Sequence, residues 1–307
     1  MNYDIKITNS SNDDGLIEFD RLSFLTQSTK EIAVKAMMLM LAGFSDIAPS
    51  TNQRKAAAIK LESINGNKED GTRLLLNCDQ LEKYINSFQS NLFNPEHYAG
   101  LQKLTPMALV IQTFRSALID DEDRNNLDKP LLKSLLKFKK NFIDHNEVFH
   151  LSNRQSIPAI MLKLDDFKKI EMLEENTPEP NKVTVNGKLD EMKHSKSRVV
   201  ILTSEGAVNA FIKDQQVIDK LAGYFGKELT VKGTAHYRPG GRLSHIEIQE
   251  FAEPNETDKY FSKVPNAMTA RQQLLFQLKT RGNNTLADLV GKWPSEESVE
   301  EILNDLD

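Results

Sequence analysis

The sequence predicts an α+β protein in three parts: a domain of helices and hairpins over residues 1–173, a five-stranded β-barrel over 182–253 and a helical tail over 266–307. Apolar residues recur at helical spacing through residues 19–41, whereas apolar and polar residues alternate, as in strands, after residue 182. Between these regions the segment EENTPEPNK, at 174–182, contains two prolines, which neither a helix nor a central strand accommodates. We therefore place a domain boundary there.

The first domain is predicted to combine hairpins with helices. Residues 3–8 alternate as a strand does, and the turn-forming segment NGNKEDG joins two further strands. A second hairpin is centred on residues 152–155. The predicted strands are 3–8, 57–64 and 72–76, with the second hairpin at 147–162, and the predicted helices are 19–41, 78–90, 106–118, 129–142 and 163–173.

A regular series of short elements follows the boundary. Three strands come first, then a helix in which Val217, Ile218 and Leu221 share one face, then two strands separated by Pro-Gly-Gly. Asp214 precedes the helix and can accept hydrogen bonds from its first amides as the N-cap. The predicted strands are 182–192, 198–203, 206–213, 228–237 and 242–251, and the helix is 214–224.

This order of elements resembles that of the OB-fold, a five-stranded Greek-key barrel whose helix lies between the third and fourth strands. A small SH3-like barrel, or an α+β sheet covered on one side, remains an alternative. The resemblance implies that the last hairpin closes the barrel. Its core would then be lined by Leu229, Val231, Leu243, Ile246 and Ile248.

OB-folds commonly bind ligands along strands two and three, between the loop that joins strands one and two and the loop that joins strands four and five. Here those loops span 193–198 and 237–242, and both are rich in cations. Arginine pairs well with phosphate, and tyrosine can stack on a base. The resemblance therefore implies that both loops meet at one rim, with nucleic-acid contacts from Lys193, Lys196, Arg198, Tyr237, Arg238 and Arg242. The competing interpretation is that these are ordinary exposed loops, on a barrel that binds protein or supports a neighbouring domain.

The tail contains two amphipathic units on either side of Pro294. Each unit repeats apolar residues at i, i+3, i+4 and i+7. Residues 294–307 carry six acids and no Lys or Arg. The segment GKWPSEESVEEIL resembles the tails of small bacterial antitoxins, in which a Trp-Pro turn precedes an acidic helix that covers a toxin. The resemblance implies a protein partner bound by Trp293, Val299, Ile302, Leu303 and Leu306. Docking on the chain's own first domain and disorder are the alternatives.

Composition limits the classes of function. The 307 residues carry a net charge of −5, so a nucleic-acid role would need a local basic patch. The single cysteine, Cys78, predicts a buried thiol in a reducing compartment. The sequence has no signal-peptide pattern, and its most apolar window, at 36–44, is too short to span a bilayer. We therefore expect a cytoplasmic protein without membrane contact.

Motifs of catalysis are absent from the sequence, which has no phosphate-binding loop, nucleophile elbow or paired zinc ligands. We expect no enzyme activity, cofactor, metal or small-molecule substrate. The first function that fits is a non-catalytic regulatory or assembly protein of a bacterial cytoplasm, bound through its tail to a toxin-like or nucleic-acid-processing partner. The alternative function is DNA or RNA binding by the basic loops of the barrel.

Overall fold

The computed structural model describes residues 1–10, 15–67, 69–85, 103–119, 126–153, 159–193 and 197–267. The chain forms two compact units. Among the described residues, the first comprises Met1–Thr177 together with Tyr237–His245, and the second comprises Pro178–His236 and 246–267. The segment Tyr237–His245, called the hairpin end below, thus belongs to the first unit although it lies within the barrel sequence. Nearly all of the predicted tail is outside the described residues.

The first unit contains one antiparallel sheet, with strand order β2-β3-β1-β4-β5. Its strands are β1 Asn2–Thr8, β2 Lys60–Asn67, β3 Gly71–Asn77, β4 Val148–Asn153 and β5 Ile160–Lys163. Its helices are α1 Phe19–Ala42, α2 Thr51–Ala56, α3 Glu82–Ile85, α4 Pro106–Leu118, α5 Lys129–Phe138 and α6 Phe167–Glu175. The predicted hairpins and most predicted helices are confirmed, although in the described part of 78–90 only Glu82–Ile85 is helical.

Alternate strand residues and the helices build one core in this unit. Ile5 and Ile7 of β1 are buried, while Lys6 between them points away from the core. Phe114 of α4 and Phe138 of α5 pack edge to face, with ring centroids 5.3 Å apart. Cys78 is 1% exposed, and burial raises the pKa of its thiol, which confirms the predicted buried cysteine. None of the helices in the described ranges is both long enough and apolar enough to cross a bilayer.

The second unit contains a closed five-stranded barrel with strand order β10-β8-β7-β6-β9. Its strands are β6 Asn181–Lys193, β7 Arg198–Thr203, β8 Gly206–Ile212, β9 Glu228–Tyr237 and β10 Leu243–Ala252, and helix α7 spans Gln215–Leu221. β8 and β10 are parallel, while β6 pairs antiparallel with β7 and β9. Asp214 caps α7 by accepting a hydrogen bond of 2.9 Å from the amide of Gln216. The prediction of a closed barrel is confirmed, and the barrel is compatible with an OB-like fold. The alternative of a sheet covered on one side is wrong.

Two glycines allow strands of the barrel to approach closely. A Cβ atom at Gly233 of β9 would lie 2.2 Å from the carbonyl oxygen of Glu247 on β10. A Cβ atom at Gly187 of β6 would lie 2.5 Å from the carbonyl oxygen of Leu202 on β7. Real Cβ atoms cannot occupy these positions, so glycine is required where the strongly coiled strands cross.

The chain beyond the barrel returns along its outer surface. A 3-10 helix at Glu256–Phe261 packs on β6, and the hydroxyl of Thr230 donates to the carboxylate of Asp258 at 2.8 Å. The amide of Ser204, in the turn between β7 and β8, donates to the carbonyl of Ser262 at 3.1 Å. Two residues later, the amide of Val264 donates to the carboxylate of Glu205 at 3.1 Å. The described chain thus reaches its last residues beside the β7–β8 turn.

Replacing Gly233 by alanine should destabilise the barrel. The added methyl group overlaps backbone, so we expect a loss of about 1–3 kcal/mol or more in the free energy of unfolding, measured by urea denaturation. Gly223→Ala is the matched control, because a Cβ atom there has nothing within 4 Å. Equal unfolding midpoints for the two variants would show that the close approach at Gly233 does not limit barrel closure.

Candidate nucleic-acid interface

Strands β7 and β8 alternate between the barrel core and the outer surface. The inward-pointing residues are buried: Val199, Ile201, Val208, Ala210 and Ile212. Between them, the outward-pointing residues form three cross-strand pairs. These pairs, called the β7–β8 face below, are Arg198 with Phe211, Val200 with Asn209, and Leu202 with Ala207.

Arg198 lies at one end of this face and keeps a charged group available. Its guanidinium donates a hydrogen bond of 2.6 Å to the side-chain carbonyl of Asn209. Because the amide of Asn209 is neutral, the bond orients the guanidinium without cancelling its charge. An oriented guanidinium with unused N–H groups is well suited to bind phosphate.

Phe211 is the cross-strand partner of Arg198 and is half-buried. Directly opposite residues on antiparallel strands have Cβ atoms about 5 Å apart, so the two side chains start next to each other, while the guanidinium of Arg198 extends to Asn209. Leu202, 45% exposed, and Val200 continue the surface with apolar groups. The face therefore carries one half-buried aromatic ring and apolar groups on the two strands that also carry Arg198.

Two lysines of β6 add positive charge to one side of the face. Lys193 pairs with Arg198, and Lys188 pairs with Leu202, while Glu191 lies between them opposite Val200. On the other side, Glu247 pairs with Phe211, but its carboxylate binds the ammonium of Lys213 at 2.9 Å. Asp190 and Glu191 are exposed beside the two lysines of β6, and Lys188 also pairs with Glu228. An excess of positive charge is therefore confined to the end of the face formed by Lys193 and Arg198.

The six nucleic-acid contacts predicted from the sequence are distributed unequally. Arg198 is part of the β7–β8 face, and Lys193 lies next to it on β6. Lys196 is outside the described residues. Tyr237, Arg238 and Arg242 belong to the hairpin end in the first unit. Tyr237 is only 3% exposed, which leaves its ring no open face for a base.

Arg238 contacts backbone carbonyl groups of the first unit. Its guanidinium donates to the carbonyl oxygen of Gly43 and, at 3.3 Å, to that of Leu127. Gly43 is the left-handed residue that ends α1, so the cation also lies at the negative end of the helix dipole. Burial lowers the pKa of Arg238, as does the nearby charge of Arg242, whereas Asp128 opposes this shift. These bonds hold Arg238 in a structural role.

Other residues of the hairpin end contact the same region of the first unit. The imidazole of His245 stacks on the ring of Phe44, with centroids 4.0 Å apart. The hydroxyl of Ser244 donates to the carbonyl of Gly43 at 3.4 Å. Arg242 remains exposed. The hairpin end is therefore largely occupied by packing within the first unit.

The expectation that the two basic loops meet at one rim stays a prediction. Residues 194–196 of the first loop are outside the described residues, and the second loop belongs to the other compact unit. Within the barrel, β6 pairs with β7 through Lys188–Lys193 and with β9 through Asn181–Lys188.

Phe211 was missed as a surface residue in the sequence interpretation, although a signal exists. Along β8, Val208, Ala210 and Ile212 share one parity, whereas Phe211 shares the other with Ala207 and Asn209. A strand with this pattern turns its more apolar side inward, which leaves the phenylalanine outside.

No protein-family model matches the chain, and neither the curated proteins nor the solved structures yield a match. The interface is therefore interpreted from its own geometry. Across the described ranges, no group of three or more His, Cys, Asp and Glu side chains is arranged to hold a metal ion.

Replacing Arg238 by alanine should reduce stability. The substitution leaves the carbonyls of Gly43 and Leu127 without a charged donor, so we expect a loss of about 1.5–3 kcal/mol in the free energy of unfolding. Arg242→Ala, at an exposed position of the same turn, should change it by less than about 0.5 kcal/mol. Urea denaturation of both variants measures the difference. Unchanged stability with weakened oligonucleotide binding would instead assign Arg238 to a ligand.

Proposed function

We propose that this protein is a non-catalytic nucleic-acid-binding protein whose barrel holds single-stranded DNA or RNA across the β7–β8 face. The observation that carries the proposal is the outward-facing pair of Arg198 and Phe211, with Lys193 beside it. Proteins that bind single strands combine a positively charged track with aromatic side chains on which bases stack. The β7–β8 face and the adjacent Lys193 combine two cations with one aromatic side chain, and this combination supports the proposal.

The topology of the barrel supports the same surface. Its strand order, the parallel pairing of β8 with β10 and the helix between β8 and β9 fit an OB-fold. In that assignment β7 and β8 are strands two and three, whose outer face is the usual binding surface of OB-folds. The assignment thus leads to the same residues as the side-chain chemistry.

A single strand fits this surface better than a duplex does. Stacking on Phe211 requires an unpaired base whose face is open. Duplex binding depends on many simultaneous phosphate contacts, which a chain of net charge −5 and a face with cations at one end only support poorly. We infer that Phe211 stacks a base, that Arg198 and Lys193 bind phosphates, and that Asn209 keeps Arg198 oriented.

The other function considered, a protein partner bound by the tail, depends on residues 293–306, which are outside the described residues. It stays a prediction, as do the expected cytoplasmic location and the expected absence of catalysis.

Substitutions on the face should weaken binding of a fluorescein-labelled oligothymidylate of about 15 nucleotides, measured by anisotropy. Phe211→Ala removes a stacking platform and should raise the dissociation constant roughly 5- to 150-fold, which corresponds to about 1–3 kcal/mol. Arg198→Ala removes a phosphate contact and should also reduce the slope of affinity against salt concentration by about 0.7 on logarithmic axes.

The matched controls are an exposed aromatic residue and an exposed arginine that lie elsewhere in the chain. Phe225, 61% exposed, and Arg242 serve this purpose, and their alanine variants should bind as the unmodified protein does. Loss of binding in Arg242→Ala but not in Arg198→Ala would move the site to the hairpin end. Absence of any binding by the unmodified chain and by a chain truncated after Trp293 would contradict the proposed function.

A further inference from the structure

The described chain ends close to the proposed binding surface. Ser262 and Val264 are hydrogen-bonded to Ser204 and Glu205, which form the turn between β7 and β8. Three residues after Val264, the described part stops at Ala267, and 40 residues of sequence follow. This remaining segment therefore starts beside the turn of the two strands that carry the β7–β8 face.

The last part of that segment is complementary to the face in composition. Residues 294–307 contain six acids and no Lys or Arg. The apolar residues of this segment have the spacing that an amphipathic helix requires to place them on one face: Val299, Ile302, Leu303 and Leu306. The face offers apolar Val200, Leu202 and Phe211, with cations on its Lys193 and Arg198 end. An acidic, apolar peptide presents the same two chemical features as a single strand: negative charge and groups that pack on an aromatic ring.

The distance is within reach of the chain. The 26 residues between Ala267 and residue 294 would span roughly 30 Å if they behaved as a flexible linker, and roughly 40 Å if they were helical throughout. The face extends about 17 Å along β7, from Thr203 beside the turn to Arg198. Tethering of this kind gives an effective concentration in the millimolar range, so even a weak contact would be occupied.

We propose that residues 294–307 bind the β7–β8 face of the same chain and compete with nucleic acid for it. The inference rests on the proposed function, because it assigns a regulator to the same surface. The acidic side chains take the place of phosphates at Lys193 and Arg198, and the apolar residues cover Phe211 and Leu202. A nucleic acid must displace this segment before it binds, which lowers the apparent affinity and disfavours weak ligands.

Removal of the segment tests the inference. Truncation of the chain after Trp293 should tighten binding of labelled oligothymidylate roughly tenfold. For a contact with a dissociation constant of about 0.1 mM and an effective concentration of about 1 mM, the segment is bound about ten times as often as it is unbound, and nucleic acid must overcome this ratio. Substitution of Glu296, Glu297, Glu300 and Glu301 by glutamine should act in the same direction, since it removes the charge that competes with phosphate. Ser295→Ala, which alters neither charge nor apolar residues, is the matched control and should have no effect.

A second measurement uses Trp293, the only tryptophan in the sequence. Addition of unlabelled oligothymidylate should change the tryptophan emission of the full chain as the segment is displaced. A synthetic peptide of residues 290–307 should displace labelled oligonucleotide from the truncated protein, and the four-glutamine peptide should not. Arg198→Ala should weaken peptide binding and oligonucleotide binding alike.

The outcomes separate this inference from the proposed function. If the truncated and full-length chains bind oligonucleotide equally well, the competition is disproved while the proposed function stands. If the peptide binds the truncated protein without displacing oligonucleotide, the segment occupies another surface and the inference is wrong. If truncation tightens binding only at high protein concentration, the segment acts between two molecules, which also overturns the intramolecular proposal. If neither chain binds oligonucleotide, both proposals fail.

Discussion

Closure of the barrel is the constraint on which the rest of the binding surface depends. The β8–β10 pairing is parallel, and the strands must coil strongly for the sheet to close. Gly187 and Gly233 permit this, because a side chain at either position would overlap the backbone of a crossing strand. Once the sheet is closed, alternation fixes which residues of β7 and β8 face outward. The chemistry of the proposed interface is therefore a consequence of the backbone path.

Two arginines of the barrel sequence have different roles because their surroundings differ. Arg238 is surrounded by carbonyl groups at the end of α1, where burial lowers the pKa of its guanidinium and its hydrogen bonds are satisfied within the first unit. Arg198 donates to a neutral amide on an open strand face. Both looked equally suited to phosphate in the sequence. Only Arg198 lies on a strand face that also carries an aromatic ring.

The sequence predicted the elements of the barrel well and its binding surface less well. Local patterns determine strand bounds: alternation and Pro-Gly-Gly placed the last hairpin within a residue or two of β9 and β10. The role of Arg238 was not predictable in this way, because Gly43 is 195 residues from it along the chain. Lys193 and Arg198 were identified from loop composition, whereas Phe211 required attention to strand parity. The role of a residue such as Arg238 depends on packing between segments that are distant in sequence, and local sequence patterns do not indicate that packing.

The position of the binding surface can be tested by mapping where a single strand binds. In a titration of isotopically labelled protein with oligothymidylate, nuclear magnetic resonance follows the amide signals of the barrel. If the β7–β8 face binds the strand, the largest shifts fall on β7 and β8, between Arg198 and Phe211, and on Lys193. Shifts confined to the hairpin end or to the sheet of the first unit would contradict this assignment.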